Sequence, residues 1–140
     1  MFKDKYASRL NSFKSNFLEK SKPSTKDIIK RASTVKGLTH VDLNYPDHSE
    51  SSLKDIASYT IDCGLKINGL AMRYYSNPSF KLGAFTNPCR KVRQEAIDLT
   101  KKAIDELKEI NSNLLTIWLG QDGFDYGFQV DYKKMWDDEI

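Results

Sequence analysis

The sequence predicts a parallel α/β fold, because short apolar segments of strand-like composition alternate with amphipathic segments long enough to be helices. Connections of this length suit parallel pairing, in which a helix crosses back to start the next strand. Two architectures fit this pattern, an open doubly wound sheet and a (β/α) barrel. No G-x-G-x-x-G motif follows any of these strands and no P-loop is present, which argues against a dinucleotide-binding open sheet.

The first strand is predicted within KYASRLNSF, and the first helix within STKDIIKRASTV. Ser24 is the expected N-cap of that helix, with Asp27 in the capping-box position and Gly37 at the C-terminal end. Its apolar residues recur at the helical period, which predicts one core-facing side: Ile28, Ile29, Ala32 and Val35.

The second strand is predicted in LTHVDLNYP, and the following helix ends at Gly64. A third strand, KINGLAMRYY, leads to the longest helix, for which Asn87 is the expected N-cap and Pro88 the first helical residue. Six apolar residues spaced by three and four predict its buried face: Val92, Ala96, Leu99, Ala103, Leu107 and Ile110. A buried fourth strand, LLTIW, runs to Trp118.

Composition predicts one globular domain across residues 1–140, with 39% hydrophobic and 29% charged residues. The net charge of +3 is spread along the chain, so no nucleic-acid partner is expected. The chain has no apolar run of membrane-spanning length and no signal-peptide core, so no membrane partner is expected. Cys63 and Cys89 are expected to be reduced thiols, and the predicted location is the cytoplasm.

Polar and aromatic residues follow the predicted strands, at the edge where parallel α/β folds bind ligands. Amides, hydroxyls, acids and flat rings around one mouth suit a polyhydroxylated ligand, since rings pack on sugar C–H groups and polar groups bind hydroxyls. The strands in turn contribute Arg9, Asn11, Ser12 and Phe13; His40, Asp42 and Asn44; Arg73, Tyr74 and Tyr75; and Trp118, Gln121 and Asp122.

Each of these residues also has a purely structural interpretation. Trp118 taken alone is more typical of a core residue, and His40 of a hydrogen-bonded structural histidine. Asp42, inside a strand, must be paired or ligated, and His48 is expected to be exposed in a loop. The two histidines and the scattered acids have no metal-ligand spacing, so no metal site is predicted in this chain alone.

YYSNPSFKLGAFTNPCRKVRQEAI followed by LLTIWLGQDGFDY resembles the xylose isomerase-like TIM-barrel superfamily of sugar isomerases and epimerases. That family has a similar aromatic-x-x-Pro turn, a glycine–Phe–Thr loop leading into a long helix, and a strand ending in Trp-Gly-Gly-Arg-Glu-Gly. The last motif here reads WLGQDG, and the resemblance covers about Leu70 to Tyr126.

The resemblance implies that Trp118 walls the sugar pocket, that Tyr75 stands where the family has a pocket phenylalanine, and that Phe85, which matches the phenylalanine of the glycine–Phe–Thr loop, also shapes the pocket. Asp122, Asn44, Asp42 and Asn11 are the further candidate sugar contacts. An ungapped alignment places Val41 at the family's catalytic histidine, so His40, one residue away, is only a weak catalytic candidate.

The family's metal ligands and catalytic lysine come from later strands, so the resemblance implies that this chain supplies the first four or so βα units, a half-barrel. Mg, Mn or Co would then be the cofactor of the full-length family enzyme, with none expected for this chain alone. A half-barrel exposes two edge strands, which predicts a C-terminal half-barrel partner or self-association.

Three functions follow from the resemblance. The first is the N-terminal half of a metal-dependent sugar isomerase that interconverts aldoses and ketoses. The second is a non-catalytic sugar-binding or assembly module derived from that fold. The third is the DNA-repair endonuclease branch of the superfamily, which the mild charge and the tryptophan motif oppose.

Overall fold

The computed structural model describes residues 4–15, 22–120, 124 and 126–140, apart from the side chain of Glu139. In this part of the chain four strands form one parallel sheet, in the order β1-β2-β3-β4: β1 is Ala7–Arg9, β2 is His40–Tyr45, β3 is Lys66–Met72 and β4 is Leu115–Thr116. Spatial order therefore follows chain order with no reversal. This topology is a βα repeat, as the sequence predicts.

Within these described ranges, four α-helices accompany the strands: α1 is Thr25–Ala32, α2 is Leu53–Asp62, α3 is Arg90–Glu106 and α4 is Tyr132–Glu139. The capping box of α1 is confirmed, since Ser24 accepts a hydrogen bond from Asp27 N and Asp27 accepts one from Ser24 N. The helix ends at Ala32, earlier than expected. Val35 therefore lies beyond it and is exposed.

The start of α3 differs from the prediction. Cys89 is the N-cap and makes no side-chain capping bond, whereas Asn87 lies two residues earlier and is buried. Asn87 Oδ1 accepts a hydrogen bond from Cys89 N, and Asn87 Nδ2 donates to Gly83 O. Asn87 therefore holds the turn before the helix instead of capping it.

The hydrophobic core lies between the helices and one face of the sheet. Val41, Leu43 and Tyr45 alternate along β2 and are buried. Residues from the strands, the helices and their connections complete the core: Leu10, Ile28, Ile29, Ala32, Leu53, Ile56, Leu65, Ile67, Leu70, Met72, Tyr74, Phe80, Ala84, Ala96, Ala103, Leu107 and Ile110. The six apolar residues predicted for the buried face of the longest helix all belong to this cluster or pack against it, with Val92 and Leu99 partly buried. The α-helix ends at Glu106, so Leu107 and Ile110 lie in the 3-10 helix Leu107–Ile110 that follows it.

The fourth strand is shorter and more exposed than the sequence indicates. Its two residues pair with Leu70 and Ala71 of β3. Ile117 is 52% exposed and Trp118 is 50% exposed. The prediction of a buried fourth strand is therefore wrong, because β4 lies at the edge of the described sheet and has no neighbour on its other side.

Candidate functional site

The carboxyl ends of the strands bring together side chains on the sheet face opposite the core. Arg9 pairs with Asp42, and Ala71 pairs with Thr116, so these residues lie beside one another in register. Asn44 pairs with Ala71. Side chains alternate along a strand, so the residues between the buried apolar ones of β2 and β3 point to the opposite face of the sheet. That opposite face carries the polar side chains.

Arg9, at the end of β1, and Trp118, two residues after β4, approach each other across the sheet. Strands β1 and β4 lie three spacings apart, roughly 14 Å. The guanidinium carbon of Arg9 nevertheless lies 5.7 Å from the centre of the Trp118 ring, a cation–π distance. On β3 the residue in register with Asn44 and Thr116 is Ala71, which has a small side chain.

Asn44 lies beneath this contact at the end of β2. Arg9 Nη2 donates to Asn44 Oδ1 over 3.4 Å, and the Asn44 side chain is buried, with 2% exposure. Its Nδ2 donor has no hydrogen-bond partner among the described residues. A buried donor without an acceptor costs free energy unless a ligand or water supplies one.

Tyr75 continues the same series of contacts. The Arg73 guanidinium carbon lies 4.6 Å from the Tyr75 ring centre, and Arg73 Nε lies 3.5 Å from Asp47 Oδ2. Tyr75 also borders Gly120, where the Cβ of any larger residue would lie 2.6 Å from Tyr75 Cδ1. We call Arg9, Asn44, Arg73, Tyr75 and Trp118 the strand-end cluster.

His48 also belongs to this edge of the sheet, although the sequence predicts it to be exposed. It is 5% exposed, its Nδ1 accepts a hydrogen bond from Asn44 N, and its own N donates to Asn44 O. Burial lowers the pKa of His48, with Asp47 and Glu50 opposing that shift. The sequence clue was its spacing of four residues from Asn44 across the turn at Pro46.

His40 lies at the opposite end of the sheet from Asn44. It is the first residue of β2 and pairs with Ala7 and Lys66, which are the first residues of β1 and β3. Its shared parity with Asp42 and Asn44 places it on the same face. The strand direction, however, separates it from the carboxyl ends, so the structure does not bring His40 to the strand-end cluster.

Asp42 is paired, as its position inside a strand requires. Asn68 Nδ2 donates to Asp42 Oδ1 over 2.7 Å. Asn68 lies next to the irregularity at which β2 and β3 shift register between Val41 and Asp42. Asp42 therefore forms its close contact with β3, although Arg9 is its neighbour on β1.

The other predicted sugar contacts have different surroundings. Phe85 packs edge-on against buried Tyr74, with ring centres 5.1 Å apart, and thus contributes to the core side of this loop. Asn11 is half-buried in a 3-10 turn, Leu10–Phe13, where its carbonyl accepts from Lys14 N. Asp122 and its neighbours Gln121 and Gly123 lie outside the described residues.

A divalent metal, which the resemblance implies for the full-length enzyme, has no matching donor set in the part of the chain that the structure describes. Within residues 4–15, 22–120, 124 and 126–140, no three His, Cys, Asp or Glu side chains are grouped so as to hold a metal ion. The described residues therefore do not fit that group.

Comparison with known proteins gives a partial match. Over 76 residues the chain is 30% identical to xylose isomerase of Thermus thermophilus. The chain is similar to xylose isomerase. The match covers 54% of this chain but 20% of that relative, so the chain spans only a small part of its length. No protein-family model matches.

Two further observations concern the cysteines and the helices. Cys63 and Cys89 are both free thiols. Among the described residues, every helix is too short or too polar to cross a lipid bilayer.

Proposed function

We propose that this chain is part of a (β/α)-barrel sugar isomerase and forms one wall of its sugar pocket. The observation that carries this proposal is the convergence of Trp118, Tyr75, Arg9 and Asn44 at the carboxyl ends of a parallel sheet with unreversed strand order. Ligands of parallel α/β folds bind at this edge. The partial similarity to xylose isomerase supports the same assignment.

The strand-end cluster has the chemistry that a sugar needs. The half-exposed ring of Trp118 offers a flat apolar surface to sugar C–H groups. Asn44 Nδ2 is a donor without an acceptor among the described residues, and the Arg9 guanidinium adds further donors for hydroxyl oxygens. Asp122 is retained as a candidate acceptor from the resemblance.

His48 contributes as a positioning residue in this proposal. Its two hydrogen bonds with the Asn44 backbone fix the turn that follows β2. Because Nδ1 accepts a hydrogen bond from an amide, the neutral ring must carry its proton on Nε2. The lowered pKa of His48 favours this neutral form.

Aldose–ketose isomerisation in the full-length family enzyme would use a divalent Mg, Mn or Co ion, which stabilises charge that develops on the sugar oxygens. The resemblance assigns the ligands of such an ion to later strands of the barrel, and the described residues provide no donor set for it. We propose a C-terminal half-barrel, or a second copy of the chain, as the partner that completes the pocket. The cytoplasm is the proposed location.

Sugar binding to the chain is the first test of this proposal. Calorimetry should detect binding of xylose, glucose or rhamnose, and Trp118→Ala should weaken that binding about 2- to 10-fold, because one stacked ring contributes roughly 0.5–1.5 kcal/mol. Trp136→Ala is the matched control, since Trp136 is also exposed but lies on α4. Equal sugar affinity of the two variants would refute the proposal that Trp118 forms a wall of the sugar pocket.

Turnover separates the isomerase from the non-catalytic sugar-binding module. The chain is combined with a C-terminal half-barrel segment and Mg²⁺, Mn²⁺ or Co²⁺, and ketose formation is followed for the sugars that bind. Isomerisation in the reconstituted sample supports the enzyme. Sugar binding with no turnover in any combination would instead assign the binding module.

A further inference from the structure

The amino end of the sheet contains a cavity of about 530 Å³, at the opposite end from the strand-end cluster. Residues from the start of β1 to the connection before β4 line it: Lys5, His40, Ala57, Ile61, Lys66, Ile67, Asn68, Ile110, Asn111, Ser112 and Asn113. Two lysines and a histidine are among these residues, together with amides and a hydroxyl. No carboxylate is among these described lining residues.

The two lysines have no partner of opposite charge in the described parts of the chain. No ion pair forms at Lys5 or Lys66 there. Asp42, the acid nearest along β2, accepts a hydrogen bond from Asn68. Asp4 lines an adjoining depression together with both lysines and His40. Positive charge thus converges on this cavity without a matching set of acids among the described residues.

Thr39 connects the His40 ring to the backbone that leads into β1. Tyr6 N donates to Thr39 Oγ1, and Thr39 Oγ1 donates its one proton to Tyr6 O. His40 Nδ1 lies 2.8 Å from the same hydroxyl oxygen, and the tautomer of the ring decides which of the two atoms donates. Protonated His40 carries a proton on both ring nitrogens and so offers an Nε2 donor as well as the contact with Thr39.

We propose that this cavity binds a phosphate-type oxyanion, held by Lys5 and Lys66 and by His40 when it is protonated on Nε2. The side-chain amides of Asn111 and Asn113, which are exposed at the rim, supply further donors. Charge-assisted hydrogen bonds from several cations are the usual means of holding such an anion. This site is independent of the sugar pocket.

Proton linkage supports the assignment. Burial lowers the pKa of His40, Lys5 and Lys66 lower it further, and Asp42 raises it. An anion between the lysines would oppose their effect and so raise this pKa. By linkage, protonated His40 must then bind the anion more tightly than neutral His40.

The cavity is larger than one tetrahedral anion needs, and Ala57, Ile61 and Ile67 form an apolar side. A free anion and the phosphate group of a small organic molecule would use the same cationic donors. Binding of inorganic phosphate, glucose 6-phosphate and glucose is compared to distinguish a free anion from an organic phosphate, with glucose as the ligand that lacks a phosphate group. Tighter binding of the ester than of inorganic phosphate indicates an organic phosphate, and equal binding indicates the free anion.

NMR of the two histidine rings tests the proposal, with sulfate as the probe because it does not titrate near neutral pH. Sulfate should raise the pKa of His40 by about one unit, equivalent to about 10-fold tighter binding to the protonated ring. The pKa of His48 should stay unchanged, since His48 does not line the cavity. Sodium chloride at equal ionic strength controls for screening.

Lys66→Gln and Lys5→Gln should each weaken sulfate binding about 5-fold or more and reduce the His40 shift. Lys101→Gln is the matched control, because it removes one positive charge from an exposed position on α3. Thermal unfolding of each variant verifies that it is folded. An unchanged His40 pKa in sulfate, equal shifts of both histidines, or equal weakening by Lys101→Gln would each overturn the proposal.

Discussion

Gly120 decides the geometry of the strand-end cluster at the scale of single residues. Its φ of +70° lies in the left-handed region, and a Cβ there would lie 2.6 Å from Tyr75 Cδ1. Glycine is therefore favoured here for two reasons: it adopts the left-handed backbone conformation without strain, and it lets the Tyr75 ring approach the backbone closely. The contact sets where the Tyr75 ring lies relative to Trp118.

Gly120→Ala is expected to destabilise the fold by about 1 kcal/mol through backbone strain and by about 1–3 kcal/mol more through the clash with Tyr75. Gly37→Ala is the matched control, since Gly37 has φ +89° but its Cβ would meet nothing within 4 Å. Urea unfolding measures both variants. Equal losses of unfolding free energy would show that the contact with Tyr75 does not matter.

The two histidines make a second prediction at this scale, on pH dependence. Folding lowers the pKa of both His40 and His48 from 6.5, chiefly through burial. As pH falls through 6.5, the unfolded chain therefore takes up protons before the folded chain does, and the free energy of unfolding decreases. Urea unfolding should give lower stability at about pH 5.5 than at about pH 7.5.

His48→Gln separates this effect from the titration of carboxylates. The variant should lose the part of the pH dependence that comes from His48 while the remainder persists. The buried acceptor for Asn44 N is also changed, so the unfolding free energy is compared between the two pH values within each variant. An unaltered difference would contradict a role for His48.

Among the elements, the pairing of β3 with β4 depends on Gly69. A Cβ at Gly69 would lie 2.5 Å from the carbonyl oxygen of Leu114, which accepts the hydrogen bond from Leu70 N. Because the obstacle is backbone, a side-chain rotation cannot relieve it. The strand that leads to Trp118 can approach β3 only where residue 69 has no side chain.

Gly69→Ala is expected to displace β4 and to destabilise the fold by about 1–3 kcal/mol. Amide hydrogen exchange should show faster exchange at Leu70, whose donor pairs with Leu114 O, and little change at Arg73, whose amide bonds Tyr45 O on β2. Equal effects at both amides would mean that the whole sheet loosens instead.

The capping box of α1 also stabilises an element of the fold. Ser24→Ala should cost about 1 kcal/mol of unfolding free energy, because Asp27 N loses its acceptor at the start of the helix. Ser51→Ala, at an exposed position before α2, is the control and should change little. Thermal unfolding compares the two, and similar midpoints would exclude a stabilising cap.

For the whole molecule, the β4 edge of the sheet leaves apolar surface exposed. Ile117 and Trp118 are each about half exposed beside a strand with one paired edge in the described sheet. Unpaired strand edges with apolar side chains promote association. Self-association through this edge is therefore expected at high protein concentration.

Light scattering of Ile117→Lys tests this prediction. A charge at the edge should shift the chain toward monomer and raise the apparent dissociation constant about 10-fold or more, a change of roughly 1.4 kcal/mol. Ile104→Lys is the control, since Ile104 is similarly exposed but lies on α3. Equal effects of the two lysines would place the association elsewhere.

The sequence by itself determined the local elements, because these depend on neighbouring residues. Hydrophobic periodicity identified β2, β3 and the buried face of α3, and the Ser24–Asp27 pattern located the start of α1. The parity of Asp42 and Asn44 was also readable, since side chains alternate along any strand. The motif around Trp118 pointed toward the relative that the comparison found.

Only the tertiary structure decided which ends and faces meet, because strand register depends on pairing between residues distant in the chain. That pairing separates His40 from Asn44, places it with Lys5 and Lys66, and leaves β4 at an edge of the described sheet. The turn after β2 buries His48 against the Asn44 backbone. The buried face of a helix can be read from the spacing of its apolar residues, whereas the neighbours of a residue across a sheet cannot.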